Sequence, residues 1–266
     1  MRQRIATGVV AGAVFAALVF AGGAAYTAML VLLAIIGYGE YIRMHQLSWR
    51  QPAAMAGAAG MLVLVLPWTA IGLSAPSTEL VMWLTMFLLL GVTVITSNRT
   101  TINEAAVLLL GAVYLGFGFS AMLEVRLEQD FGLYAACLAF GCIWASDIGA
   151  YFVGKRVGKR PLWPAISPNK TVEGALGGVA LALVVSVLLG TALPLPLPFW
   201  QLLLIGFVCA VAGQFGDLIQ SAYKRVRGVK DTGRLLPGHG GVLDRCDSWL
   251  IVFPLLQLTG LLQHFT

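Results

Sequence analysis

Between Ser221 and Ser248 the chain reads SAYKRVRGVKDTGRLLPGHGGVLDRCDS. Lys224, Arg225, Arg227, Lys230, Arg234 and Arg245 stand there beside Asp231, Asp244 and Asp247. His239, one of 3 histidines, sits inside Gly-His-Gly-Gly. Carboxylates set among Lys and Arg are what a metal-assisted phosphoryl or nucleotidyl transfer needs. Mg²⁺ takes oxygen ligands, usually one or two carboxylates with substrate phosphates and water, and cations neutralise the remaining phosphate charge. An Arg fork grips phosphate bidentately, whereas Lys acts as a point charge. The glycines around His239, Gly238, Gly240 and Gly241, suit a tight loop presenting backbone N–H groups to an anion. A simple turn is the plainer reading of such a loop taken alone.

Two further carboxylates lie in otherwise apolar surroundings. Asp147 is in CIWASDIGAYFVGK, about two turns before a basic end, and Asp217 is in AVAGQFGDLIQSAYKR. Charge inside a membrane is expensive and needs a reason. Asp244 and Asp247, three apart, share a face if helical; helix capping is the competing reading, strongest for Asp247. A second polar cluster, GKRVGKRPLWPAISPNKTVEG, carries Lys155, Arg156, Lys159 and Arg160. Ser167, Asn169, Lys170 and Thr171 then precede a helix predicted to begin near Val172, and hydroxyl, amide and ammonium at a helix start make an anion site. Glu173 suits a structural cap, and Gly174, Gly177 and Gly178 suit close helix packing in a membrane.

The elements that must position these residues are hydrocarbon. The chain of 266 residues is 59% hydrophobic and 11% charged, with mean hydropathy +0.85. A spanning helix needs roughly 20 apolar residues. Nine segments qualify, at 5–21, 24–42, 52–73, 79–97, 104–123, 131–153, 172–193, 199–220 and 247–265. They are separated by Gly22-Gly23, by Ser74 to Ser77, by Pro194 to Pro198 and by other breaks. The expectation is an all-α polytopic membrane protein of about nine transmembrane helices with a cytoplasmic N-terminus. That orientation leaves only Arg126, of 17 Lys and Arg residues, on the far side, as the positive-inside rule asks. Fusing the first two segments gives eight helices and a poorer charge balance. A cleaved leader over the first segment fits less well, because the apolar run resumes at once.

Residues 1–130 form an N-terminal multi-span region and 131–266 a C-terminal one carrying the chemistry, within one membrane unit. In the first half Glu40, Glu79, Glu104, Glu124, Glu128 and Asp130 read as solvated helix ends or loops, Glu40 reaching the interface. Cys137, Cys142, Cys209 and Cys246 form no CxxC pair and read as packing residues. The pI near 9.2 follows from the cytoplasmic cations and does not indicate nucleic acid.

Read together, SAYKRVRGVKDTGRLLPGHGGVLDRCD resembles the signature of the phosphatidate cytidylyltransferase (CDP-diacylglycerol synthase) family. Ser221, Lys224-Arg225, Lys230-Asp231, His239 to Gly241, Asp244-Arg245 and Asp247 fill that pattern without a gap. SPNKTVEG and the Asp-x-x-Ala-Tyr of Asp147 to Tyr151 are also similar. The resemblance is strong over roughly the last 125 residues; Tyr223 and Cys246 depart from it at non-polar positions. It implies that CTP and phosphatidic acid give CDP-diacylglycerol and pyrophosphate, with Mg²⁺ required and a second, monovalent or divalent, cation compatible with the site. The subunits would be homodimers integral to a bacterial inner membrane, with the active site facing the cytoplasm. From this resemblance together with four carboxylates expected at similar depth beside the basic loop, Asp217, Asp244, Lys170, Lys224, Arg225 and His239 are expected to be catalytic. Ser167, Asn169, Ser221, Lys230, Asp231, Arg234, Gly240, Gly241 and Arg245 would bind substrate, and Asp217, Asp244, Asp247 and Asp147 the metal. A CTP-dependent polyprenol or dolichol kinase is the nearest alternative enzyme. The DGxxAR pattern of CDP-alcohol phosphotransferases is absent. A transporter of anionic lipid would place its polar residues near the midplane of repeated halves, which this chain does not.

Overall fold

The computed structural model describes residues 2–127, 131–233, 235 and 240–262, with backbone only for 2–7 and 70. Glu128, Asp130, Arg234, His239 and the end of the ninth predicted segment lie outside the described residues. The chain divides into two compact units, 1–123 with 231–243, and 124–230 with 244–266.

The first unit is built on α1 (Arg2–Ala21), α2 (Gly23–Met44), α3 (Pro52–Val65), α4 (Thr78–Ile95) and most of α5 (Ile102–Leu127). The break between α1 and α2 is real: Gly22 and Gly23 take φ of 64° and 50°, backbone that residues with a Cβ rarely adopt. The segment predicted over 52–73 is shorter than expected. Leu66 is extended because the ring of Pro67 disfavours helical backbone before it, and only a 3₁₀ turn at Thr69–Ile71 follows. Tyr hydroxyls fasten α2 to α5: Tyr26 donates to the Met122 carbonyl at 3.3 Å and Tyr41 to the Val107 carbonyl at 3.0 Å. Tyr26, Leu30, Tyr38, Leu115, Phe119 and Met122 form the buried core of this unit.

The second unit contains α6 (Gly132–Val157), a hairpin of β1 (Pro161–Trp163) and β2 (Ser167–Thr171), α7 (Val172–Ala192), α8 (Phe199–Val226), the short α9 (Leu243–Cys246, from Asp244) and α10 (Trp249–Leu258). The hairpin was not anticipated. It replaces a plain loop before α7, and Thr171 ends it by accepting the Gly174 N–H at 3.1 Å as the α7 cap. Glu173 is structural, as expected: its carboxylate accepts the N–H groups of Lys159 and Arg160 at 3.0 and 3.1 Å. The glycines of α7 let it lie directly on α6. A Cβ at Gly174 would stand 2.8 Å from the Ala150 carbonyl, one at Gly177 2.4 Å from Val153, and one at Gly178 2.7 Å from the Ser146 carbonyl. Small residues at such spacing allow helix backbones to approach in lipid. Gln214 on α8 donates to Ser146 Oγ on α6 and to the Ala175 carbonyl on α7, at 3.2 and 3.1 Å, so one side chain binds three helices.

Among the described residues six helices, α2, α4, α5, α6, α7 and α8, are long and apolar enough to cross a membrane. Three shorter apolar helices, Gly8–Ala21, Pro52–Val65 and Trp249–Leu258, are also present. The ninth predicted segment, 247–265, is a shorter helix than expected: α10 ends at Leu258, and turn backbone follows at residues 259–262. Asp247 and Ser248 form a turn between α9 and α10. α8 also runs further than predicted, to Val226, so Ser221, Lys224 and Arg225 are helical rather than in a loop. Exposed Leu80, Trp83, Leu84, Phe87 and Leu88 on α4 make a face suited to lipid.

Candidate active site

Helical spacing on α8 sets the site's first face. Asp217, Ser221 and Lys224 follow one another at i, i+4 and i+7, one stripe of a helix. The Ser221 hydroxyl donates to Asp217 Oδ1 at 3.3 Å. Asp217 also meets Lys170, whose Nζ is 2.5 Å from Oδ2. Lys170 comes from the end of β2, so the hairpin and the capped start of α7 deliver an ammonium to α8. Three turns of sequence logic thus converge: a strand ending at Thr171, a helix cap there, and an aspartate mid-way along α8.

The second pair is Lys224 with Asp244, Nζ to Oδ1 at 2.7 Å. Its side chains are 14% and 5% exposed, against 27% and 34% for Lys170 and Asp217. The Lys224–Asp244 pair is therefore the better shielded from solvent, and breaking it carries the larger cost. Asp147 and Asp247 complete the group. The charges of Asp217, Lys170 and Arg245 act on Asp147, and those of Asp217, Asp147 and Lys224 act on Asp247. Asp247 Oδ1 accepts the Ser248 N–H at 2.8 Å, and Ser248 Oγ donates to the Gly213 carbonyl at 3.0 Å, which fixes the turn against α8.

Asp147, Asp217, Asp244 and Asp247 thus share a unit with Lys170, Lys224, Ser221 and Arg245. Among the described residues no three Asp, Glu, His or Cys side chains converge closely enough to hold one metal ion. Asp217 and Asp244 each face an ammonium instead. The donor chemistry nevertheless suits a hard cation. Like-charged carboxylates that feel one another need positive charge among them, and all the donors are oxygen.

Ser167 and Asn169 lie on β2, half-buried and exposed respectively, and Lys230 is exposed. Asp231, Gly240 and Gly241 belong to the first unit. Arg225 is exposed, yet its Nε donates to the Ile166 carbonyl of the hairpin at 3.0 Å. It therefore steadies the hairpin that carries Lys170.

Comparison with known proteins settles the family. Residues 2–262 match the cytidylyltransferase family. The chain belongs to that family. Among similar proteins are those named phosphatidate cytidylyltransferase from Bacillus subtilis, 42% identical over 96% of each chain, and from Staphylococcus saprophyticus, 39% identical over 97% of this chain and 98% of the other. The protein of that name from Staphylococcus haemolyticus is 37% identical over the same shares.

Sequence reasoning missed two residues of this cytidylyltransferase family member. Gln220, one turn from both Asp217 and Lys224, is fully buried, with neither amide atom partnered among the described residues. Nothing in its sequence context marks it. Glu40 is the correction: it does not reach an interface but is 1% exposed. The signal was available. It is an acid inside a long apolar run, the same argument that singled out Asp147 and Asp217.

Proposed function

We propose that this chain condenses CTP with phosphatidic acid to give CDP-diacylglycerol and pyrophosphate, at the cytoplasmic face of a bacterial inner membrane. The observation that carries this reading is the pair of Lys–Asp contacts, Lys170–Asp217 and Lys224–Asp244, in a chain similar throughout to proteins named for that activity. The lipid phosphate attacks the α-phosphorus of CTP; the new P–O bond forms as the bond to the β-phosphate oxygen breaks, and pyrophosphate leaves. Both groups are anions, so the protein must supply positive charge. Lys170 and Lys224, now held by carboxylates, are the ammonium groups available to phosphate oxygens, with Ser221 and Arg245 beside them. Asp217 and Asp244, with Asp247 or Asp147 as a helper, would hold Mg²⁺. Bound there, the metal would neutralise charge on the phosphates. The attacking phosphate is already ionised, so no general base is required.

His239 is proposed as a hydrogen-bond donor to a phosphate oxygen. His239→Gln keeps a donor but cannot titrate, so partial activity with an unchanged pH profile is expected. Loss of an ionisation near pH ~6–7 from the kcat profile would instead show proton transfer. Nine membrane crossings, a cytoplasmic N-terminus and a homodimer belong to the same reading. The positive-inside balance supports the first two.

The decisive assay is pyrophosphate release by the purified protein in detergent. Release should require CTP and phosphatidic acid together and match CDP-diacylglycerol formed. CTP-dependent phosphorylation of a polyprenol or dolichol would replace this reading with the kinase. Within it, Lys170→Ala should raise KM about tenfold or more if the ammonium binds ground and transition states alike. Arg225→Ala should cost less, and Arg225→Lys should not restore it, because the Nε–H to Ile166 is lost in both. Unchanged kinetics in Lys170→Ala would return that residue to a topogenic role.

A further inference from the structure

Glu40 on α2 is the most buried acid described, and its partners lie 192 to 203 residues away in sequence. One oxygen, Oε1, accepts the Val242 N–H at 3.0 Å. The other, Oε2, accepts the Leu243 N–H and the Thr232 hydroxyl, each at 3.0 Å. The three donors are neutral and come from both ends of one segment. Thr232 opens it and Val242-Leu243 close it, so a single carboxyl group ties residues 232 and 243 together. Glycine makes the approach possible: a Cβ at Gly233 would stand 2.3 Å from Oε1, and one at Gly241 2.3 Å from Oε2. The segment bracketed in this way is TGRLLPGHGGVL, which holds the Gly-His-Gly-Gly motif. Asp244 is the next residue in the chain.

We propose that Glu40 is a positioning residue for the cytidylyl transfer. Its carboxyl holds Thr232 and the Val242 and Leu243 N–H groups together, and so fixes the chain at Leu243, the residue before Asp244. A buried polar group keeps such partners because leaving them unmade is costly. An acid buried to this degree has no comparable reason to be there if residues 232 and 243 find their places without it. The proposal rests on the reading that the Ser221–Ser248 stretch carries the chemistry, and its test therefore has a readout besides activity.

Glu40→Gln keeps the size and replaces one acceptor oxygen by an NH₂ facing a donor. Amide exchange of peptides covering 232–243 should rise at least ~10-fold, with α4 and α5 peptides unchanged, since exchange reports local opening. In the same preparation kcat should fall at least ~10-fold with KM for CTP within about threefold, the pattern of lost positioning. Thr232→Val removes one donor and should give a smaller change in the same direction. Added to Glu40→Gln it should do little more, because the two share a contact. Should Glu40→Gln fail to fold, Thr232→Val decides alone by the same local exchange and kcat. Unchanged exchange at 232–243, or raised exchange with unchanged kcat, overturns the proposal. So does faster exchange spread evenly over every helix in both variants. A wild-type protein inactive with CTP and phosphatidic acid would sink the proposed reaction and with it the positioning role, whereas the exchange data would still report whether the clamp exists.

Discussion

Asp244→Asn is expected to lower turnover by at least ~10²-fold, about 2.7 kcal/mol of transition-state stabilisation. Asn keeps the shape of the side chain and removes its charge. Two effects are mixed in that substitution. The Asp244 side chain is 5% exposed and lies 2.7 Å from Lys224, so neutralising it leaves a poorly solvated ammonium, and breaking a buried pair can cost ~3–5 kcal/mol of stability. The double variant Asp244→Asn with Lys224→Met separates them. Removing both charges should restore the thermal midpoint toward wild type, since such pairs are often replaceable by apolar groups. Turnover should not return with it, because the proposed metal donor and the proposed phosphate-facing ammonium are both gone. Asp217→Asn is the cleaner companion. Its pair with Lys170 is more exposed, the stability cost is correspondingly screened, and turnover should fall at a nearly unchanged midpoint. Near-normal turnover of either single variant at saturating Mg²⁺ removes that aspartate from the site.

Hydrophobic run length revealed the helices well, because lipid-crossing and buried helices are both long and apolar. It failed where a short feature interrupts a run. Pro67 cuts the third segment through its effect on Leu66, and in the ninth α10 ends at Leu258, just before Gly260 takes a φ of 66°. The β1–β2 hairpin escaped notice because its strands have 3 and 5 residues, too few for alternation to register. The carboxylates stood out because charge is rare in this chain. Which Lys each would meet did not: Lys170 and Asp217 are 47 positions apart, and their meeting depends on how α7 lies on α6 and α8. Glu40 was misread by position alone. Its place near a helix end suggested solvent, while its partners sit in the distant 232–243 segment, which no local pattern connects to α2.

Gly216→Ala and Gly213→Ala, one turn apart on α8, should act in opposite directions. Alanine is the better helix former by roughly 1 kcal/mol, so on propensity alone both would stabilise. At Gly213 a Cβ meets nothing nearer than Ser248 Cβ at 3.6 Å, an ordinary contact, and the propensity gain should survive. At Gly216 the same atom would stand 2.5 Å from the Asp247 carbonyl oxygen and 3.0 Å from Ser248 Cα. Those are backbone atoms of the turn between α9 and α10, held to α8 by the Ser248 hydroxyl on the Gly213 carbonyl. Neither rotamer change nor a flexible tip can relieve the contact, so the turn must move. Overpacking of this kind costs ~1–3 kcal/mol, more than the propensity gain. The residue displaced is Asp247, which lies within electrostatic reach of Asp217 and Asp147. Gly216→Ala should therefore lower the thermal midpoint and reduce kcat at least ~10-fold, since small misplacements of a reacting constellation are costly. Gly213→Ala should match or exceed wild type in both. Equal midpoints and equal kcat for the two variants would show that the α8 contact with the Asp247 turn does not hold the carboxylates in place.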